Sequence, residues 1–436
     1  MFRIIKHYSL LLLPIFLLSP YIGNAQLKMP TRENIRKAGE VVREGRRFVK
    51  EVQKFTNELE RSTKEFNELV TVVKGDSNSK RRRKTKSIKI RNGKIEDVGW
   101  EPVVYFENEL FPSTIVSLAS YRGDFTPELE VISRPVGFKV ISNMQGFSLR
   151  WEIECIDKRF FDKVSGEFVY EQPGREVFVM PEIPWNFTSL THQISSTPVQ
   201  LVYRLFDTKG KKIEKVIRVN MRSINDCIWR YRDTKMYYLF AAYVQESYPE
   251  IDNILKSALE TKMTDAIMGY QGSEDEVLLQ VAAIWKVLHD RGFQYSSITT
   301  PSVLNQASYS SQSVRTFESA CKTSQANCVD GTVVLASVLR KIGISVEMVF
   351  VPGHCFLAFY ADAKGEKRYF LETTYLGSPV LVDDLETEEE ELSAYLAHFI
   401  QALELGKKKY DEYSASPYFN AINIEKARGL INSIPF

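Results

Sequence analysis

The sequence predicts an α+β protein, and three patterns carry that prediction. Apolar residues repeat every seven positions through residues 31–74, short alternating segments fill 97–225, and helical patterns followed by strands occupy 226–436. A seven-residue period marks a long amphipathic helix and a period of two marks strands. The expected architecture is a long N-terminal helix, a β-sandwich middle domain and a C-terminal domain of helices followed by strands. At 436 residues the chain has room for two or three domains. A hydrophobic fraction of 44% and a charged fraction of 26% are those of a globular chain, and a net charge of +2 gives no reason to propose nucleic acid as a partner.

The first 25 residues read as an export signal. Arg3 and Lys6 precede the apolar run Leu10 to Leu18, and the small-residue site Gly23-Asn24-Ala25 precedes Gln26. That order is the one a secretory signal needs, and the run is short for a membrane span. The expected location is periplasm, cell envelope or secreted fluid; an uncleaved anchor is the alternative. Five cysteines leave at least one free thiol in an exported chain. Cys328 is assigned that state. Cys155 and Cys227 are candidates for a disulfide, and Cys321 and Cys355 are read as buried small residues.

In the stretch 31–74, Pro30-Thr31 and Glu33 suit a helix start and Gly75-Asp76 a stop. Ile35, Ala38, Val42, Val49, Val52, Leu59, Phe66, Val70 and Val73 form the stripe, with Gly45, Thr56 and Thr63 as breaks. A docked or tethering helix is the first reading, and self-association through a coiled coil is the alternative. Residues 75–96 form a linker carrying Lys80-Arg81-Arg82-Arg83-Lys84. It is read as solvated, with contact to an anionic surface as the alternative.

Between 97 and 225, strands are expected at Val103 to Phe106, Val136 to Ile141, Phe147 to Ile156, Glu176 to Met180, Val199 to Phe206 and Ile213 to Met221. Thr208-Lys209-Gly210 fits a turn between the last two. No catalytic cluster stands out, and His192 is read as structural. Beyond 226, helices are expected at Met236 to Glu246, Ile251 to Met268 and Asp275 to Asp290. Thr387 with Glu390 makes a capping box for a helix reaching Glu404. The acidic run Asp383 to Glu391 and the triplet Lys407-Lys408-Lys409 are read as charges matched to the two ends of that helix.

The chemistry concentrates in 327–374. Asn327 suits an N-cap, and Val333, Leu335, Ala336, Val338, Leu339 and Ile342 make the following helix apolar enough to be central. Cys328 then stands in the first helical turn, where the dipole contributes about 0.3–1 kcal/mol towards the anion, so a strong activation needs a basic partner. His354 opens a strand in which Phe356, Ala358 and Tyr360 share its face; Arg368 to Thr374 is read as the next strand. A hairpin centred on Ala363 sets His354 opposite Glu372, at a Cβ separation of roughly 4.5–5.5 Å. Nucleophile, base and orienting acid follow in the order Cys328, His354, Glu372. The Cys328 N–H is one expected oxyanion donor, and Gln312 is a weak candidate for another. No Cys/His spacing suits zinc and no glycine-rich phosphate loop appears, so no cofactor is expected.

Asn327-Cys328-Val329-Asp330-Gly331 and the helix running to Ile344 resemble the nucleophile helix of the transglutaminase-like superfamily. Gly353-His354-Cys355-Phe356-Leu357 and Leu371-Glu372-Thr373-Thr374 resemble its histidine and acid strands. The resemblance spans roughly residues 230–380. It implies a papain-like α/β core with an antiparallel sheet and a Cys-His-acid triad at Cys328, His354 and Glu372, with Glu where the superfamily usually has Asp. It also implies a protein or peptide substrate and a cysteine amide hydrolase, peptidase or protein-glutamine acyltransferase; the excess of water around an exported protein favours hydrolysis over cross-linking. The superfamily also includes catalytically inactive members, so a binding or scaffold protein of the envelope is the alternative.

Overall fold

Strands dominate the first half of the described chain, where apolar residues alternate with polar ones. The computed structural model describes residues 95–121, 132–296, 308–380 and 387–435, all within the unit Arg82–Phe436. The expected signal, the long helix and the basic run Lys80–Lys84 lie outside the described residues. Among the described residues no helix is long and apolar enough to cross a membrane.

The first half holds β1 (Gly99–Val104), β2 (Glu109–Leu110), β3 (Val136–Ile141), β4 (Phe147–Cys155), β5 (Lys163–Tyr170), β6 (Val177–Val179), β7 (Thr197–Phe206) and β8 (Lys212–Met221). Two short helices, α1 (Pro112–Ser117) and α2 (Phe187–Thr191), connect them. The strands make a three-stranded sheet in the order β1-β3-β6 and a five-stranded sheet in the order β2-β8-β7-β4-β5. All pairs are antiparallel except β2 with β8. β4 shows the period directly: Phe147, Leu149, Trp151, Ile153 and Cys155 are buried and the residues between them are not. Phe138 of β3 meets Trp151 of β4 at 5.8 Å between ring centroids, which joins the two sheets. On β4, β7 and β8, Arg204 bridges Glu154 at 2.6 Å and Glu214 at 2.7 Å. The expected turn at Thr208-Lys209-Gly210 is present, with Asp207 accepting the amides of Lys209 and Lys211. The strand expected at 103–106 instead ends at Val104, because Phe106, Glu107 and Asn108 are left-handed. That turn drives Phe106 into an aromatic cluster with Phe111 and Tyr231, at 5.7 and 4.9 Å between centroids.

The second half begins with β9 (Asp226–Tyr231), β10 (Thr234–Lys235) and a 3₁₀ helix, Tyr237–Tyr243, where a longer helix was expected. Then follow α3 (Glu250–Glu260), α4 (Glu274–Asp290), β11 (Gln294–Tyr295), β12 (Tyr309–Ser313), α5 (Phe317–Thr323), β13 (Gln325–Ala326) and α6 (Cys328–Lys341). β12 pairs with β9, and β11 lies parallel to β13. β14 (Val346–Val351), β15 (His354–Tyr360), β16 (Arg368–Leu371), α7 (Glu388–Tyr413), β17 (Asn420–Asn423) and α8 (Ile424–Arg428) complete the chain. The expected antiparallel sheet is present, in the order β16-β15-β14-β17.

Helices cover both faces of this sheet. α6 packs on β14 and β15, and α7 packs on β16. Cys355, Leu357, Phe359 and Leu371 join α6 in the main core. Phe356, Ala358 and Phe370 form a second cluster under Tyr410 and Tyr413 of α7. α7 approaches β16 so closely that a Cβ on Gly406 would lie 2.5 Å from the Phe370 carbonyl oxygen. The helix runs nine residues past its expected end at Glu404, so the three lysines 407–409 lie within it and not at its end. The expected disulfide is absent: Cys155 and Cys227 are both buried free thiols, on β4 and β9.

Candidate active site

Local sequence sets up the cysteine. Asn327 caps α6, its Oδ1 accepting the amides of Val329 at 2.8 Å and Asp330 at 2.9 Å. Asp330 returns the favour by accepting the Asn327 N–H at 3.0 Å, a full capping box. The Asp330 carboxylate is wholly buried and is held by the Arg315 amide at 2.8 Å and guanidinium at 2.6 Å. A buried charge needs such partners, and Arg315 thereby ties the end of β12 to α6. Cys328 is the first helical residue and is partly exposed.

His354 comes to the same place through a tight turn. Val351 pairs with His354, so only Pro352 and Gly353 connect β14 to β15. Gly353 has φ +70°, the third-residue conformation of a type II turn, with proline fixing the position before it. The His354 ring contacts the Cys328 thiol and the Glu372 carboxylate, with Nε2 2.8 Å from Glu372 Oε2. Nε2 being taken, Nδ1 is the nitrogen left for the sulfur.

The acid arrives by a route the sequence reading did not give. Leu357 pairs with Leu371 and Ala358 with Phe370, so the register differs by two from a hairpin centred on Ala363. β16 also ends at Leu371, three residues short of expectation, and Glu372 becomes the N-cap of the 3₁₀ helix Thr373–Gly377. A slip of two keeps every side chain on its face, so Glu372 still reaches His354, diagonally. Its Oε1 accepts the Thr374 amide at 3.1 Å and hydroxyl at 2.6 Å, while Oε2 holds the imidazole. The Glu372 N–H donates to the Ala402 carbonyl of α7 at 3.0 Å.

Burial and bonding oppose each other at this pair. Burial pushes the His354 imidazolium down, but the Cys328 and Glu372 contacts outweigh it and raise the group to about 9. Burial likewise pushes the Glu372 carboxyl up, and the bonds from His354 and Thr374 bring it below its ordinary value. The arrangement favours a charged imidazolium–carboxylate pair beside a thiol.

All three expected site residues therefore meet. They do so at the rim of the sheet, where β15 begins and β16 ends. Gln312 does not join them through its amide, which is spent on the Ser313 carbonyl at 3.1 Å. Two residues near the triad escaped the sequence reading. Tyr295, on β11 beside Ala326, is half exposed; burial and the Cys328 and Glu372 charges raise its hydroxyl. Lys409 of α7 stands 3.8 Å from Glu372 Oε2. The spacing Ala402, Gly406, Tyr410, continuing past Glu404, was the available signal that α7 runs on. Among the described residues no group of histidine, cysteine and acid side chains is placed to hold a metal ion.

Comparisons of the chain with protein-family models, curated proteins and solved structures found no match.

Proposed function

We propose that this chain is an exported cysteine enzyme of the transglutaminase-like kind, acting on amide or peptide bonds. The observation carrying the proposal is the continuous contact from the Cys328 thiol through His354 to Glu372. In that arrangement His354 takes the thiol proton, and the thiolate attacks the carbonyl carbon of the amide. A C–S bond forms as the carbonyl π electrons move to oxygen. The Cys328 N–H belongs to the first helical turn, whose amides lack helical partners, so it can receive that oxygen. Collapse breaks the C–N bond, the imidazolium gives its proton to the departing amine, and a thioester remains. His354 then deprotonates a water, which attacks the thioester and returns the free thiol with a carboxylic acid. An amine in place of water gives a new amide. Water is in excess outside the cell, so hydrolysis is the favoured outcome. Glu372 keeps the imidazole oriented throughout and stabilises it whenever it carries the proton, a role worth about 10²–10⁴-fold together with the proton transfer.

The test uses the full chain with a glutamine-containing peptide, alone and with a primary amine. Mass spectrometry should find an acyl adduct on Cys328, with ammonia release in both reactions and none in Cys328→Ala. Iodoacetamide should label Cys328 at neutral pH faster than it labels the same thiol in His354→Ala. Equal rates in the two proteins, with no acyl adduct on any peptide, would leave a non-catalytic binding protein as the better reading.

A further inference from the structure

Each triad residue sits on a different chain segment, and something must hold the three segments in step. The hydroxyl of Thr332 touches all three. Thr332 lies one turn into α6, is wholly buried, and donates its hydroxyl proton to the Cys328 carbonyl at 2.7 Å. Its oxygen is 3.2 Å from the hydroxyl of Thr373, the residue after Glu372. The Cys355 thiol, the residue after His354, lies 3.7 Å from the same oxygen. A hydroxyl offers one proton and two lone pairs: the Cys328 carbonyl accepts its proton, the Cys355 thiol donates to its oxygen, and the Thr373 hydroxyl lies in reach of both that oxygen and the Cys328 carbonyl, with one proton to give between them.

We propose that Thr332 is the positioning residue of the triad, registering the nucleophile helix against the histidine strand and the acid turn through this one hydroxyl. The proposal rests on the cysteine-enzyme reading of the site. Three further observations support it. Thr373 is also 3.4 Å from the Cys328 carbonyl, so the acid turn and the nucleophile turn share two contacts. A Cβ on Gly331 would lie 3.3 Å from Thr373 Oγ1, so helix and turn are already in close contact beside the hydroxyl. Burial raises the Cys355 thiol well above its ordinary range, so it keeps the proton it donates. Cys355 is thereby a structural thiol with a defined task, distinct from the nucleophile. Among the described residues the ionisable side chain bonded to the Thr332 hydroxyl is Cys355.

The test compares Thr332→Val, which keeps the shape and removes the hydroxyl, with Thr332→Ser, which keeps the hydroxyl. Two readouts are taken on the full chain: the pH profile of Cys328 alkylation by iodoacetamide, and histidine-selective ¹⁵N NMR of His354. A displacement of 1 Å costs a reaction about 10²-fold. The expected result for Thr332→Val is a smaller loss, about tenfold in alkylation at neutral pH. Its profile and its His354 resonances should move towards those of Glu372→Gln. Thr332→Ser should restore both. Cys355→Ala, which removes one donor, should give a smaller shift in the same direction and covers the case in which the valine variant does not fold. Wild-type His354 resonances in Thr332→Val and Cys355→Ala, or equal losses in the valine and serine variants, would overturn the proposal. If wild-type alkylation is indifferent to His354→Ala, the enzyme reading fails instead. The NMR arm still reports whether the hub sets the imidazole.

Discussion

His354 and His398 are two largely buried histidines in the same half of the chain, and they are driven in opposite directions. Burial acts against charge on both. His354 has a carboxylate on one ring nitrogen and a thiol on its other side, and rises to about 9. His398 accepts the Trp285 indole N–H on Nδ1 at 3.0 Å, with its ring 4.6 Å from the ring of Tyr375 and 5.3 Å from that of His289. Burial, with the His289 charge added, lowers it to about 4. An indole can only donate, so a proton on His398 Nδ1 would orphan a buried N–H group. Burial acts alike on both rings, and the carboxylate and thiol beside His354 are what reverse its effect there.

The two also bend stability in opposite pH ranges. The favourable contribution of His354 is complete below its ordinary value of 6.5 and is lost as pH rises through about 9. His398 binds its proton more weakly folded than unfolded, so it destabilises the fold as pH falls from 6.5 to about 4. The largest expected effect comes from making His354 resemble His398. Glu372→Gln removes the carboxylate and should cost amide turnover about 10²–10⁴-fold. The descending limb of kcat/KM, expected near 9 in the wild type because leaving-group protonation needs the imidazolium, should move to lower pH. A limb that stays in place would separate Glu372 from the histidine's charge.

Next in size is Gly406→Ala. The added methyl meets backbone of β16, which cannot yield as a side chain could, and overpacking of this kind costs about 1–3 kcal/mol in denaturant unfolding. Because α7 also receives the Glu372 amide at Ala402, the site should suffer more than His398 does. Trp285→Phe works on the other histidine. It frees Nδ1 to take a proton without orphaning the indole, so His398 should rise a little above about 4, burial and His289 still holding it down, and thermal unfolding between pH 4 and 6.5 should become slightly less dependent on pH. The smallest effect belongs to Lys409→Met. Lys409 is partly exposed, so its contact with Glu372 is worth roughly 0–1 kcal/mol. Removing this competing cation should move the His354 limb slightly upward at low salt and leave it unchanged at high salt.

The site was more legible in the sequence than the elements carrying it. Cys328, His354 and Glu372 announced themselves because a helix cap, a Pro-Gly turn and a period of two are all local signals. Asn327 caps as expected, and Thr387 with Glu390 forms the expected box at the start of α7. What failed was non-local. The register of β15 with β16 depends on the loop 361–367, where Asp362 accepts the amides of Lys364 and Glu366 and widens the turn. The end of α7 depends on a glycine notch against β16, and glycine alone reads as a stop. Cys155 and Cys227 looked pairable on compartment grounds, yet they lie on strands of different sheets. Thr332 carried no sequence signal at all, since a threonine inside an apolar helix means little until its neighbours are known.

The glutamate at the acid position has a consequence of its own. Glu372 divides its labour by atom: one oxygen starts a helical turn and the other steers a ring. An aspartate here would carry the same two oxygens one methylene nearer the backbone, so the two contacts would compete for reach. The length of this side chain sets how far the turn can stand from the ring it holds.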